Sequence, residues 1–349
     1  MNINLNAKQA YFAAANTFSG FRSFFNDAFN SYDHTRIFVL KGGPGTGKSS
    51  LMKKVAAFAE SSAIKYELFY CSSDPNSLDG VTLYTDNGRV SVLDGTAPHE
   101  RDAVLPGAVD ELVNLGEAWD SVKLISHKDE IEYLNKRKSH SYKSAYSELS
   151  ISAVYWTKYK AEIYKSVDMV SLNETANQII ERLGALKKGK TDIRLLSSFS
   201  KNGYSQLPYK SKFKKILNLN GDNATKYILL TEISELLQRK GSKFIKILSP
   251  LDTQITEAII LDNDTLLTTD KGDNSIFDAT SLCDISDNTK LQLTYYAENI
   301  NKHLDIAKKH LTQASEYHFA LEAIYTPCMD FSILDSITDK TISKIKAII

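Results

Sequence analysis

Cysteine is scarce in this chain, three in 349 residues, and the three are placed so as to exclude two classes of structure. Cys71, Cys283 and Cys328 are odd in number, widely separated and free of C-x-x-C spacing, so neither a disulfide framework nor a cysteine zinc site is expected. Excess charge is absent too. Lys plus Arg and Asp plus Glu number 42 each, which leaves no overall field drawing the protein to nucleic acid or to an anionic membrane. Two local basic clusters remain, Lys136, Arg137, Lys138 and Lys143, then Lys210, Lys212, Lys214 and Lys215, and they read as solvated faces. No apolar run reaches the length of a membrane span, and Met1 to Asn6 show no basic segment followed by an apolar core. A soluble, cytoplasmic protein without a membrane partner is expected. Glycine and proline are both missing between Gly116 and Gly184, and the Lys, Glu, Tyr, Leu and Ala that fill residues 127 to 183 predict long helices.

What is present is more specific. Gly42-Gly43-Pro44-Gly45-Thr46-Gly47-Lys48-Ser49 fits G-x-x-x-x-G-K-[ST], a phosphate-binding loop. Arg36 to Leu40 before it reads as a buried strand, and Leu51 to Ala59 after it has helical apolar spacing. Glycines allow successive N–H groups to turn inward around a phosphate, and the following helix adds the positive end of its dipole. Lys48 is expected on the β- and γ-phosphates and the Ser49 hydroxyl on Mg²⁺, with Pro44 and Thr46 stiffening the turn. Gly42 through Ser50 are thus the candidate nucleotide-binding residues. The chain has no N-K-x-D sequence, since Asn301-Lys302 is followed by His303-Leu304, so ATP is expected rather than GTP.

Val90-Ser91-Val92-Leu93-Asp94 has the pattern of a Walker B strand, making Asp94 the candidate catalytic and metal-holding carboxylate. The Asn87-Gly88 turn just before it offers another reading, one arm of a hairpin. Candidates for orienting a water or an acceptor are Asp74, Asp79, His99 and Glu100, with Asp74 also able to start a turn at Pro75. An arginine finger is expected from Arg101, Arg194 or a partner chain. In the helical region Leu134, Tyr142, Tyr146, Leu149, Ala153, Trp156, Tyr159 and Ile163 recur at three- and four-residue steps, as in a core-packing face or a partner surface.

The second half repeats the first. Leu219 to Lys226 can be laid on Leu40 to Lys48 with a deletion, and Tyr66, Asp74 and Asp94 then fall on Phe244, Asp252 and Asp270. Ile163-Tyr164, Asp168-Met169 and Leu172 correspond to Ile324-Tyr325, Asp330-Phe331 and Leu334. The copied loop keeps a single glycine, and Lys226 is followed by Tyr227, so the second half is not expected to bind a Mg-nucleotide. The chain divides accordingly into an active P-loop domain (1–121), a helical extension (122–186), a degenerate P-loop-like domain (187–286) and a second helical extension (287–349). The fold expected is α/β, a duplicated P-loop NTPase-type doubly wound and mostly parallel sheet with helical extensions.

Gly42 to Ser50, Cys71 to Gly80, Val92 to His99, Pro106 to Asp110 and Asn114 to Gly116 together resemble a largely uncharacterised family of bacterial tandem P-loop ATPases. The resemblance covers nearly the whole chain and implies nucleotide binding without naming a substrate. Related proteins carry a P-loop in the second half as well, and this chain departs from them there. The expected activity is Mg-dependent hydrolysis of ATP that drives or regulates a change between the halves. The alternatives are a small-molecule kinase using Asp74 as base, and a nucleotide-gated module that engages a protein through its helices.

Overall fold

The computed structural model describes residues 9–209, 213–221, 223–261, 265–270 and 275–349. Met1 to Asn6, Lys210, Lys212 and Asp222, all of which enter the sequence reading, lie outside the described residues.

Each half builds a six-stranded sheet. In the first, β1 (Gln9–Phe12), β4 (Arg36–Lys41), β5 (Lys65–Tyr70), β6 (Leu78–Thr85), β7 (Gly88–Asp94) and β8 (Asp110–Asn114) stand in the order β1-β5-β6-β7-β4-β8. Only β6 runs antiparallel to its neighbours. The second sheet joins β9 (Asp192–Arg194), β12 (Lys215–Asn220), β13 (Ile245–Leu248), β14 (Thr256–Leu261), β15 (Thr265–Thr268) and β16 (Ser275–Asp278) in the order β16-β12-β15-β14-β13-β9. There β14 alone is antiparallel. The two orders coincide strand for strand. Small hairpins, β2 (Ala14–Thr17) with β3 (Gly20–Ser23) and β10 (Ser197–Ser200) with β11 (Gly203–Gln206), complete the correspondence. The chain is therefore a duplicated α/β protein with two mostly parallel mixed sheets.

Burial explains the layering. Alternate strand residues such as Phe38, Leu40, Leu68 and Val92 point outward onto α2 (Lys48–Ser61), which presents Leu51, Met52, Val55, Ala56 and Ala59 at helical spacing. The other alternation, Ile37, Val39, Phe69 and Leu93, shares one apolar core with Ile247, Ala258, Ile260 and Leu266 of the second sheet. A short helix α1 (Phe25–Ala28) contributes Phe25 and Ala28 to that shared core. The second sheet's outer face is covered by α6 (Asn223–Arg239).

A short helix α3 (Ser121–Ser126) leads into α4 (Lys128–Ser166), and α7 (Asp287–Tyr325) matches α4 in the second half; both long helices have 39 residues, about 58 Å each. Leu293, Ile300, Ala307, Ala314 and Leu321 are buried at seven-residue steps on α7. Ala145, Leu149 and Ser152 face them from α4, and the Ser152 hydroxyl donates to the Ile300 carbonyl (3.2 Å). Small residues at the seam let the two helices lie close and antiparallel, as in a coiled-coil hairpin. The tyrosine-rich face is thus largely core, with Tyr142 and Tyr146 in a cluster with Ala307, Leu311 and Phe199.

The halves exchange their last helices. α5 (Met169–Leu183), N-capped by Asp168, buries Leu172, Ala176, Ile179 and Ile180 in the second sheet's core beside α6. α8 (Phe331–Lys346), N-capped by Asp330, carries Leu334 and Ile345 into the first sheet's core beside α2. Paired backbone bonds fix each crossing. Asp120 N–H donates to Cys328 O (2.8 Å) and Asp330 N–H to Ala118 O (2.7 Å) at one end. Asp168 N–H donates to Leu282 O (2.9 Å) and Asp284 N–H to Ser166 O (3.1 Å) at the other. The three cysteines are not joined in disulfides, and among the described residues no helix is long and apolar enough to cross a membrane.

Candidate functional site

β4 lies between its parallel neighbours β7 and β8, so the carboxyl ends of all three strands meet at one edge of the sheet. The Gly42–Gly47 loop occupies that position. Gly45 and Gly47 have φ of +69° and +77°, a region in which a side chain is strained, and Gly47 is the residue from which α2 departs. Thr46 is fully buried and its hydroxyl closes the turn on the Gly43 carbonyl (2.8 Å), the stiffening expected of it. Ser50 is exposed on the first turn of α2.

Lys48 opens α2 and turns its ammonium back into the loop, donating to the carbonyls of Gly42 and Gly43 at 2.8 Å each. Its Nζ is 3.7 Å from Asp94 Oδ2. Asp94 ends β7 and pairs across the parallel ladder with Leu40, immediately before the loop. Its other oxygen, Oδ1, accepts the Thr96 N–H (2.8 Å) and hydroxyl (2.6 Å), which orients the carboxylate. β6 and β7 form a hairpin around Asp86-Asn87, and the end of β7 sets Asp94 beside the loop. Burial raises the Asp94 pKa, with Lys48 and Thr96 opposing. The Ser49 hydroxyl accepts the Leu78 N–H (3.0 Å), tying the loop helix to the start of β6.

Two of the four candidate water-orienting residues come together. Asp79 and His99 form a buried ion pair at 3.1 Å, and His99 stacks on Phe25 with ring centroids 4.6 Å apart. Burial opposes the charge on His99, but Asp79 and Asp94 outweigh it and its pKa is raised. Asp74 instead holds a turn: Ser77 N–H donates to its carbonyl (2.9 Å), and Ile255 N–H does the same to Asp252 (3.0 Å) in the second half. Glu100 is exposed. Neither arginine reaches the loop. Arg101 is buried against Asp110 (3.4 Å) and Ser31 (2.8 Å). Arg194 lies between the sheets over Tyr11 and Phe69, lining a cavity of about 160 Å³ remote from the loop.

Sequence reasoning missed what covers the loop. A Cβ on Gly45 would meet Thr326 Oγ1 at 2.7 Å, one on Gly47 would meet Leu334 Cδ2 at 2.6 Å, and Gly43 lies against the rings of Trp119 and Tyr325. The walls are thus the end of α7 and the start of α8. Glu322, one turn before the end of α7, has its pKa lowered chiefly by His318, with smaller contributions from the Gly45 N–H and Lys48.

Among the described residues, the corresponding place in the second half shows no such cradle. Only two residues separate β12 from α6, against six between β4 and α2, so Lys226 falls inside the first turn of α6 rather than at its start. Asp270 lies two residues past β15, where its carboxylate accepts the Tyr209 hydroxyl (2.6 Å). Glu257, the counterpart of Asp79 on β14, accepts from Ser197 (2.7 Å) and Tyr204 (3.1 Å), and burial pushes its carboxyl up to about 7.

No family model matches the chain, and no curated protein or solved structure matches it. What stands is the duplicated arrangement of two mixed α/β sheets. Among the described residues, no group of three or more His, Cys, Asp and Glu side chains could hold a metal ion.

Proposed function

We propose that this chain is a Mg²⁺-dependent ATP hydrolase of the P-loop type, with one phosphate site in its first half and helices from the second half set against that site. The observation that carries the reading is the loop itself: positive-φ glycines at the carboxyl end of β4, with Lys48 at the start of α2 and 3.7 Å from Asp94. The residues suit a nucleotide. A Cβ at Gly42, Gly45 or Gly47 would come within 2.7 Å of a neighbouring side-chain atom, so these positions call for glycine, the residue that lets a loop backbone curl its amides around a phosphate. Ser49 and the Oδ2 of Asp94 would hold Mg²⁺, which when bound supplies neutralisation of phosphate charge. Lys48 would exchange its contacts to the Gly42 and Gly43 carbonyls for phosphate oxygens. Thr96 keeps Asp94 oriented, and the Asp79–His99 pair holds a further proton close to the cluster.

Because Leu334 and Thr326 abut Gly47 and Gly45, a change in the loop acts on α7 and α8, which begin in the other half. That is the route from hydrolysis to a change between the halves. The backbone carbonyl of Asp74 closes a turn, as that of Asp252 does, which gives this residue a turn role apart from that of a base. The α4–α7 pair favours a second reading, a nucleotide-gated interaction module without turnover.

The test is phosphate release from MgATP by the wild-type chain and by Lys48→Ala, with nucleotide binding recorded in the same samples. Release that depends on Lys48 supports the hydrolase. Binding without release supports the gated module, and absence of binding rejects both.

A further inference from the structure

Lys138 was grouped by sequence with Lys136, Arg137 and Lys143 as a solvated patch, and its three neighbours behave as one. Lys136 pairs with Glu132 on the surface, Arg137 donates to the Tyr317 hydroxyl (3.1 Å), and Lys143 is exposed. Lys138 differs. It is half-buried, and among the described residues it has neither a hydrogen bond nor an ion pair with an acid.

Its position on α4 explains the burial. Lys138, Tyr142 and Tyr146 form one row at four-residue spacing, and in a helix such a row faces one way. The Tyr146 hydroxyl donates to Asn16 Oδ1 (3.0 Å), and the Tyr142 hydroxyl lies 3.5 Å from Ser73 Oγ, just past the end of β5. The turn from Ser73 runs to Leu78, whose N–H is held by Ser49. The row therefore overlooks the carboxyl edge of the first sheet. Lys138 is its next member, at a helix position where the three- and four-residue apolar spacing of this face calls for an apolar side chain. Burial lowers its pKa, and Lys48 is the one charged group that adds to the shift. A half-buried cation with no acid to pair with is costly unless an anion is to meet it.

We propose that Lys138 is a second phosphate-facing cation, which contacts the γ-phosphate of bound ATP from above while Lys48 holds it from the loop. This inference rests on the reading of the loop as an ATP site. It supplies in cis the charge that Arg101 and Arg194 cannot, since both are fixed elsewhere.

The experiment compares wild type, Lys138→Ala and Lys138→Arg for binding of MgATP and MgADP, for phosphate release, and for thermal unfolding. In Lys138→Ala, ATP affinity is expected to fall about tenfold or more while ADP affinity stays within about twofold. Turnover at saturation is expected to fall by about 10²- to 10³-fold, and Lys138→Arg to recover part of both losses. The melting temperature of Lys138→Ala should be unchanged or higher, because an unpaired cation is removed. Retained ATP preference and turnover in Lys138→Ala would overturn the inference. So would a parallel loss of ATP and ADP binding with a lowered melting temperature, which marks a structural role. Failure of the wild-type chain to bind either nucleotide defeats the reading of the loop, and this inference with it.

Discussion

Replacing Gly47 by Ala perturbs the loop and the helix exchange together, and the two effects can be separated. Gly47 stands at φ +77°, so any Cβ there carries left-handed strain of about 1–2 kcal/mol. The same Cβ would lie 2.6 Å from Leu334 Cδ2, a contact that must be relieved by moving the end of a flexible side chain; overpacking of this kind costs about 1 kcal/mol or more. Leu334→Ala alone leaves a cavity in the core shared with α2 and is expected to cost about 2–5 kcal/mol. In the double variant the clash is absent but the strain remains. The two costs should therefore fall short of additivity by about 1 kcal/mol, beyond the roughly 0.3–0.5 kcal/mol expected for independent sites. Urea unfolding of the four proteins, followed by helical circular dichroism and Trp fluorescence, reads this directly. Strict additivity would mean that Leu334 does not rest on the loop, and the docking of α8 on the first half would be refuted.

Two further outcomes follow from neighbouring residues. His34 is buried with Nδ1 on the Asn30 carbonyl (2.8 Å) and Nε2 on the Ser91 hydroxyl (2.9 Å), and burial lowers its pKa to about 4. The unfolded chain takes up that proton near 6.5, so the stability is complete above about pH 6.5 and is lost as the pH falls toward 4. The loss between pH 7 and 4.5 should be smaller by about 2 kcal/mol in His34→Gln, as measured by denaturant titration at the two pH values, and an unaltered pH dependence would contradict this burial. In phosphate-release assays Asp94→Asn should lower turnover by about 10²-fold or more, whereas Asp74→Asn should stay within about threefold; the reverse order would restore the kinase reading.

The loop was legible because its chemistry is local: Gly45, Gly47, Lys48 and Ser49 act within one turn of chain, and their spacing alone states the geometry. Asp94 was legible for a weaker reason, since an apolar run ending in aspartate fits both a hairpin arm and a Walker B strand; here the run is a hairpin arm that also sets Asp94 3.7 Å from Lys48. The duplication was read from Asp168 and Asp330, which cap α5 and α8 in the same way. The exchange of those helices was not legible. Leu172 and Leu334 sit on equally amphipathic faces, and nothing in such a pattern says which of two similar sheets the face covers. His99 beside Pro98 looked like a loop residue because Phe21 and Phe25, which enclose it, lie more than seventy positions earlier. Lys138 was hidden among lysines of the same cluster, and only its place in the row with Tyr142 and Tyr146 sets it apart.

The central claim is a single nucleotide site, built by the first half. Calorimetric titration of the whole chain with a non-hydrolysable MgATP analogue tests it most directly, with Lys48→Ala and Lys226→Ala as the two comparisons. The account predicts a stoichiometry of one that Lys48→Ala abolishes and Lys226→Ala leaves intact. Two sites, or binding that depends on Lys226, would contradict it.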